Sequence, residues 1–362
     1  VARLGGDEFT VITGLLNERA DAAVIADKLL SAFQKPFSIE STELHVTASI
    51  GISMFPDDGL DAEILLRNAD SAMYEAKRDG RNGFRFYTPD MTVEVRQRVM
   101  MMDELREAIE KQQFLLHFQP QVCLTTGEVI GAEALVRWMH PGKGLIPPND
   151  FIPYAESSGQ IAQIGEWVLM EACTKMSEWR AQGYNLRKVA VNISNQQLRR
   201  KSLVMLVKQA IAATNCKAET LELEITESTL MQNPEDMVEE LVQLKALGVS
   251  LAIDDFGTGY SSLSYLKQLP INKLKIDRSF VRDLDVDEND RAITRAIIAL
   301  GKSLNLTVIA EGVEYASQVS FLASEQCEQI QGYFYSKPLP EEAFLAYLKE
   351  HKSRREEMAE WI

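Results

Sequence analysis

The chain is short of cysteine, histidine and positive charge, and each shortage removes a class of function. Its four cysteines, Cys123, Cys173, Cys216 and Cys327, lie far apart with no Cys-x-x-Cys pair. That argues against a zinc knuckle or a disulfide framework; isolated thiols suit a reducing cytosol, where they fill core space. Its four histidines, His45, His117, His140 and His351, show no metal-ligand spacing. Lysine and arginine number 38 against 53 acidic residues, a formal net charge of -15. Such a chain is a poor partner for duplex nucleic acid or a lipid surface. An anionic ligand would have to be held locally, by bound cations or a few Arg and Lys side chains. No apolar run approaches the roughly 18 residues that span a bilayer. No signal peptide or initiator Met precedes Val1-Ala2-Arg3-Leu4. The expectation is a cytoplasmic piece of a longer protein, with a membrane anchor elsewhere in that protein left open.

What is present is an ordinary globular composition, 46% apolar and 25% charged, in 362 residues. That length suggests two domains. Residues 1–88 form one block: Gly5-Gly6-Asp7-Glu8-Phe9, a helix pattern over Ala20–Phe33, an apolar run His45–Phe55 and a second helix pattern Ala62–Arg78. Residues 89–112 place Val95, Val99, Met102, Leu105 and Ile109 at helical spacing, which predicts a connecting helix.

Residues 113–350 have another rhythm, followed by a tail, 351–362. Short β-rich runs recur at Phe114–Gln119, Val129–Val136, Val189–Ile193, Leu221–Thr226, Ser250–Asp254, Lys273–Ile276, Thr307–Ala310 and Gln329–Tyr333. Helix patterns such as Gly165–Gln182, Leu203–Thr214, Pro234–Leu247 and Asp290–Leu304 separate most of them. Strands alternating with helices at this length predict an α/β fold, a (β/α)8 barrel, with a doubly wound open sheet as the alternative.

Polar residues stand where the apolar runs end: Glu133, Asn192, Glu224, Asp254, Asp255, Lys275, Glu311 and Gln331. In a barrel, strand C-termini converge on one face, where active sites are built. Singly, any of these is a helix cap or a surface carboxylate; together they form a constellation. Carboxylates with one amide select Mg²⁺ or Mn²⁺ over zinc. The adjacent Asp254 and Asp255 would repel without cations between them. Two ions sharing an Asp would activate a water and stabilise the leaving oxygen of a phosphodiester. Glu222 has the same strand parity as Glu224, so pattern alone does not choose between them. Asp255-Phe256-Gly257-Thr258-Gly259 lacks the P-loop pattern and reads as a loop over the site.

At these residues the chain resembles a known family. Glu133-Ala134-Leu135-Val136-Arg137 is similar to the signature that names the EAL family. Asp254-Asp255-Phe256-Gly257-Thr258-Gly259, Lys275-Ile276-Asp277-Arg278-Ser279-Phe280, Ala310-Glu311-Gly312-Val313-Glu314 and Gln331-Gly332-Tyr333 resemble its later motifs in order. The resemblance implies a barrel with one strand reversed that hydrolyses cyclic di-GMP to linear pGpG with two Mg²⁺ or Mn²⁺ ions. It implies that Glu133, Asn192, Glu224 and Asp254 hold one ion, choosing Glu224 over Glu222, and that Asp254, Asp255 and Glu311 serve the other. Lys275 would orient or help deprotonate the attacking water. Gln119, Arg137, Asp277 and Gln331 would contact substrate, Gln331 and Glu314 would support the site, and Glu227 would hold the loop after Asp255. It also implies a homodimer through the barrels. Some family members act instead as catalytically silent cyclic di-GMP receptors, the alternative reading.

The first block resembles the C-terminal half of a GGDEF domain, which makes cyclic di-GMP from GTP. Gly5, Gly6, Asp7 and Glu8 match its hairpin, and Lys77 and Arg81 its phosphate contacts. The half upstream of the hairpin, with a metal-ligating Asp and the guanine-facing residues, is not in this chain. The expectation is that this block is inactive here.

Overall fold

Eight strands of the second block close into a ring. They are β1 (Phe114–Cys123), β2 (Val129–His140), β3 (Lys188–Asn192), β4 (Leu221–Thr226), β5 (Ser250–Phe256), β6 (Lys273–Ile276), β7 (Thr307–Ala310) and β8 (Gln329–Ile330). Strands β2 to β8 run parallel, each beside the next. β1 is antiparallel to both β2 and β8 and closes the ring. That closure rules out the open doubly wound sheet: the fold is a (β/α)8-type barrel with its first strand reversed. The structure, a computed structural model, describes residues 1–16, 18–33, 36–39, 42–199, 203–232, 234–259 and 263–360. Of residues 38–39, 42, 94–96, 199, 231–232, 234–236, 263–264 and 353–360 it describes the backbone alone.

The central strands are buried on both faces because helices cover the outside and packed side chains fill the inside. Val189, Ala190 and Val191 of β3 and Leu221 and Leu223 of β4 are wholly enclosed. The helix Ile161–Ala181 buries Ile161, Ile164, Val168, Leu169, Ala172 and Met176, a stripe at three- and four-residue spacing. Helix Glu288–Ser303 starts where the Asp287 carboxylate accepts the Asn289 N–H at 2.7 Å.

Four strands differ in length from the sequence expectation: β1 runs on to Cys123 and β5 to Phe256, and the changes in β2 and β8 move residues of the site. β2 runs on to His140, because the hairpin strand Gly144–Ile146 pairs with its last residues. Glu133 therefore lies mid-strand rather than at an end. β8 stops at Ile330 rather than Tyr333. Gln331 leaves the ladder so that its carbonyl accepts the Val313 N–H at 3.1 Å. The next residue must be glycine, since a Cβ on Gly332 would lie 2.1 Å from the Val313 carbonyl oxygen.

The chain divides into two compact units, Val1–Asp103 and Glu104–Ile362. The dividing point falls within the helix Pro89–Glu110, and the last helix, Glu341–Glu360, passes through residue 350. In the first unit, Ala2–Gly5 and Glu8–Thr10 form a hairpin whose turn is Gly6-Asp7, with Gly6 at φ 52°. Helices Arg19–Phe33 and Ala62–Arg78 accompany a parallel pair, Ser49–Ile52 with Gly83–Phe86. That strand is shorter than the apolar run His45–Phe55 suggested, because its partner offers four residues, paired one to one.

Candidate active site

Lys275 is the centre of a carboxylate cluster. Its side chain is 1% exposed, and its ammonium lies 2.6 Å from Glu224 Oε2, 2.6 Å from Glu311 Oε1 and 3.0 Å from Asp254 Oδ1. These groups come from four adjacent strands or strand ends, β4 to β7, so the parallel order of the barrel brings them together. On the other side of Glu224, Asn192 stands in register with it across the β3–β4 pair. Asn192 donates to Glu133 Oε1 at 2.6 Å, and Gln331 donates to Glu133 Oε2 at 2.5 Å. Gln119 faces Glu133 across the antiparallel β1–β2 pair; it accepts from Gln331 at 3.1 Å and donates to the Ser336 carbonyl.

Asp255 joins this cluster by a backbone turn. Successive strand residues point to opposite faces, so Asp254 and Asp255 should diverge. Asp255 instead has φ 53°, the left-handed region that Asp tolerates better than most residues, and the β5–β6 register shifts between Ile253 and Phe256. Asp254, Asp255 and Glu311 thereby offer carboxylate oxygens that all lie within 4.8 Å of one another. Two residues later Gly257, at φ 103°, donates its N–H to Glu227 Oε2 at 2.8 Å, which ties the start of the loop to the end of β4. Residues 260–262 of that loop lie outside the described ones.

Five carboxylates thus crowd one ammonium, and the protonation equilibria register it. Burial pushes the Glu311 carboxyl up to about 8, with Asp254 and Glu133 adding to the rise against the pull of Lys275. Burial, then Asp254 and Asp277, push Asp255 up to about 6. Burial also raises Glu224 well above the carboxylate range. Burial alone would lower Lys275, but Asp254, Glu133, Glu224 and Glu311 outweigh it and hold the ammonium well above the ordinary lysine range. Among the described residues the buried Glu224 Oε1 has no hydrogen-bond partner. Excess buried negative charge with an unsatisfied carboxylate oxygen is the environment of a cation site, and the all-oxygen donor set suits a hard ion.

The remaining sequence-expected residues divide. Arg137 is half-buried, four residues beyond Glu133 on the same face of β2, and donates to the Val136 carbonyl at 2.8 Å. Burial lowers its guanidinium from the usual range, against the opposing effect of Glu133 and Tyr333. Asp277 caps the helix Arg278–Arg282, accepting the Ser279 N–H at 3.0 Å, and is hydrogen-bonded to Asp255. Glu314 is exposed, and it is its backbone N–H that is held, by Gln318. Gly5, Gly6, Asp7, Glu8, Lys77 and Arg81 are all exposed in the first unit. Sequence reasoning missed a second buried polar layer beneath the cluster, where Lys273 bonds Glu222 at 2.5 Å and Gln121 donates to Gln331 at 3.1 Å. The signal was strand parity: Glu222 and Lys273 each precede a cluster residue by two positions.

Comparison with known proteins agrees with this geometry. The family model "EAL domain" matches residues 102–338, and "Diguanylate cyclase, GGDEF domain" matches residues 1–83. The bifunctional diguanylate cyclase/cyclic di-GMP phosphodiesterase MucR of Pseudomonas aeruginosa is 46% identical over 346 residues, 96% of this chain and 50% of its own length. Cyclic di-GMP phosphodiesterase PdeR of Escherichia coli is 41% identical over 354 residues, 98% and 53% of the two chains. The chain spans about half the length of these curated relatives. Among solved structures, the PaMucR phosphodiesterase in complex with c-di-GMP matches with a TM-score of 0.66 at 47% identity, over 68% of this chain and 99% of that one. The EAL enzyme Bd1971 in its cAMP- and cyclic-di-GMP-bound form matches at 0.68 and 29%, over 80% and 76%.

Proposed function

The chain belongs to the EAL domain family, and from that premise we propose that it is a phosphodiesterase that opens cyclic di-GMP to linear pGpG on a site for two divalent ions. The observation that carries the reading is the cluster around Lys275: five inward carboxylates, one ammonium and an unpartnered Glu224 oxygen. Glu133, Asn192, Glu224 and Asp254 would hold one Mg²⁺ or Mn²⁺, and Asp254, Asp255 and Glu311 the second. Bound there, such ions lower the pKa of a water and stabilise the oxygen that leaves phosphorus.

The chain's own groups supply the rest. Forming pGpG breaks a P–O3′ bond and leaves a 5′-phosphate. Lys275, kept protonated by its carboxylates, is suited to orient the attacking water by donating to it. Arg137, on the same strand face as Glu133, would grip a phosphate oxygen with a charge-assisted hydrogen bond. Gln119, Asp277 and Gln331 contact the ligand, Gln331 and Glu314 support the site, and Glu227 holds the loop that begins at Asp255. Residues 1–88 carry the GGDEF hairpin but make no cyclic di-GMP in this chain. The barrels pair as a homodimer in the cytoplasm, a compartment in keeping with four free cysteines; none of the described helices is long and apolar enough to cross a membrane.

The test is product analysis of cyclic di-GMP incubated with the chain, with and without Mg²⁺. pGpG that forms only with the metal supports the proposal. Tight binding with no product in Mg²⁺ or Mn²⁺ makes the chain a receptor instead.

A further inference from the structure

Beneath the carboxylate cluster lies a chain of polar groups whose direction is set at one end. Lys273 is buried, and its ammonium bonds Glu222 Oε1 at 2.5 Å and reaches Gln121 Oε1 at 3.4 Å. An ammonium has donors only, so it fixes the carbonyl oxygen of Gln121 towards itself. The Gln121 amide must then turn its NH₂ the other way, where it donates to Gln331 Oε1 at 3.1 Å. That in turn commits the Gln331 NH₂ to Gln119 Oε1 at 3.1 Å and Glu133 Oε2 at 2.5 Å. Gln121 is 1% exposed and Gln331 is 4% exposed, so neither amide is open to bulk solvent. A flipped Gln331 would set a carbonyl oxygen against the Glu133 carboxylate.

We propose that Gln121 and Lys273 are positioning residues, which act through Gln331 to hold the Glu133 carboxylate in the orientation that ion binding needs. This rests on the reading of Glu133 as a metal ligand. The reason lies in the topology: β1 runs against its neighbours, so Gln119 and Gln121 step down into the barrel as Glu222 and Lys273 step up to Glu224 and Lys275. The reversed strand thereby links the lower layer to the ion-binding one.

Substitution of Gln121 separates polarity from packing. Gln121→Glu keeps the shape and still accepts from Lys273, but its carboxylate has no donor for Gln331 Oε1 and draws the Gln331 NH₂ away from Glu133. Gln121→Met keeps the volume and removes both bonds. Metal-stripped protein is titrated with Mn²⁺, the free ion being followed by electron paramagnetic resonance, with thermal unfolding as the check of fold. Gln121→Glu is expected to weaken Mn²⁺ binding about tenfold or more, the scale of loss when a group that orients a metal ligand is changed. Gln121→Met is expected to weaken it less, and excess Mn²⁺ is expected to restore the rate of both variants with KM for cyclic di-GMP little changed. Glu133→Gln is titrated beside them. If it loses Mn²⁺ affinity while folded Gln121→Glu stays within about twofold of the parent, the positioning role is overturned and the metal site stands. If Glu133→Gln binds Mn²⁺ like the parent, the metal-ligand reading falls and this proposal with it. Should Gln121→Glu not fold, Gln121→Met is judged by the same criterion.

Discussion

Glu224 Oε2 lies 2.6 Å from the Lys275 ammonium, while among the described residues Oε1 of the same carboxylate has no hydrogen-bond partner. One oxygen of the carboxylate is paired and the other is left over, in a residue that is 1% exposed. Removing one partner from a buried ion pair costs several kcal/mol, roughly 3–5, because the other charge is stranded. On the two-ion reading proposed above, a cation held there would satisfy the leftover oxygen, which gives that reading a direct experimental signature.

Chelation is the first test of it. Hydrolysis of cyclic di-GMP is expected to require Mg²⁺ or Mn²⁺ and to stop in EDTA. Ca²⁺ is expected to support ligand binding without turnover, since its larger and looser coordination shell misplaces the attacking water. Full activity of metal-stripped protein in EDTA would contradict the two-ion reading.

Stability should depend on pH in a sense set by Glu311 and Asp255. Folding raises Glu311 from 4.5 to about 8 and Asp255 from 3.8 to about 6. Between those values the folded state binds more protons than the unfolded one, so stability falls as pH rises. The thermal midpoint of the metal-stripped chain is expected to drop between about pH 5 and pH 8, and saturating Mg²⁺ to flatten or reverse that slope. A midpoint that rises over this window without metal would show that the two carboxyls are not held in this environment.

Asp255→Asn and Arg137→Ala should separate catalysis from binding. Asp255→Asn leaves Glu133, Asn192, Glu224 and Asp254 in place, so most ligand affinity should survive. Single-turnover hydrolysis should fall roughly 100-fold or more, because what is lost acts in the transition state. Arg137→Ala removes a charge-assisted phosphate contact and should weaken binding roughly 10–100-fold, at least as much as it slows the bound complex. Calorimetry in Ca²⁺ and rapid-quench assays in Mg²⁺ measure the two quantities. Near-normal single-turnover rates in Asp255→Asn would remove Asp255 from the second ion site.

The first unit should be silent as a cyclase. Incubation of the chain with GTP and Mg²⁺ is expected to yield no cyclic di-GMP, in keeping with the exposure of Gly5, Gly6, Asp7, Glu8, Lys77 and Arg81. GTP-dependent product above background, seen by chromatography, would overturn this.

Light scattering at micromolar concentration is expected to give the mass of a dimer. A monomer that retains full activity would refute pairing through the barrels as a requirement of function.

The alternation of β-rich runs and helix patterns determined an α/β fold with helices packed on a largely parallel sheet, but left a closed barrel and an open doubly wound sheet both possible; the pairing of the reversed β1 with both β2 and β8 decided between them. All eight strands overlap the predicted runs, β1, β2 and β5 being longer and β8 shorter, and the polar residue types along them suggested an oxygen-ligand site. Only the tertiary structure decided what depends on register between distant strands. Glu222 and Glu224 share parity and chemistry, and the strand pairing puts one beside Lys273 and the other beside Lys275. The left-handed turn at Asp255 brings two successive carboxylates to one side, against the alternation that a strand pattern implies. Gln331 reaches Glu133 because Gly332 lets the chain leave β8 and pass close under Val313. Local pattern records which face a side chain takes; its depth in the barrel, and hence its partner, is set by strands that are far apart in sequence and meet only when the ring closes.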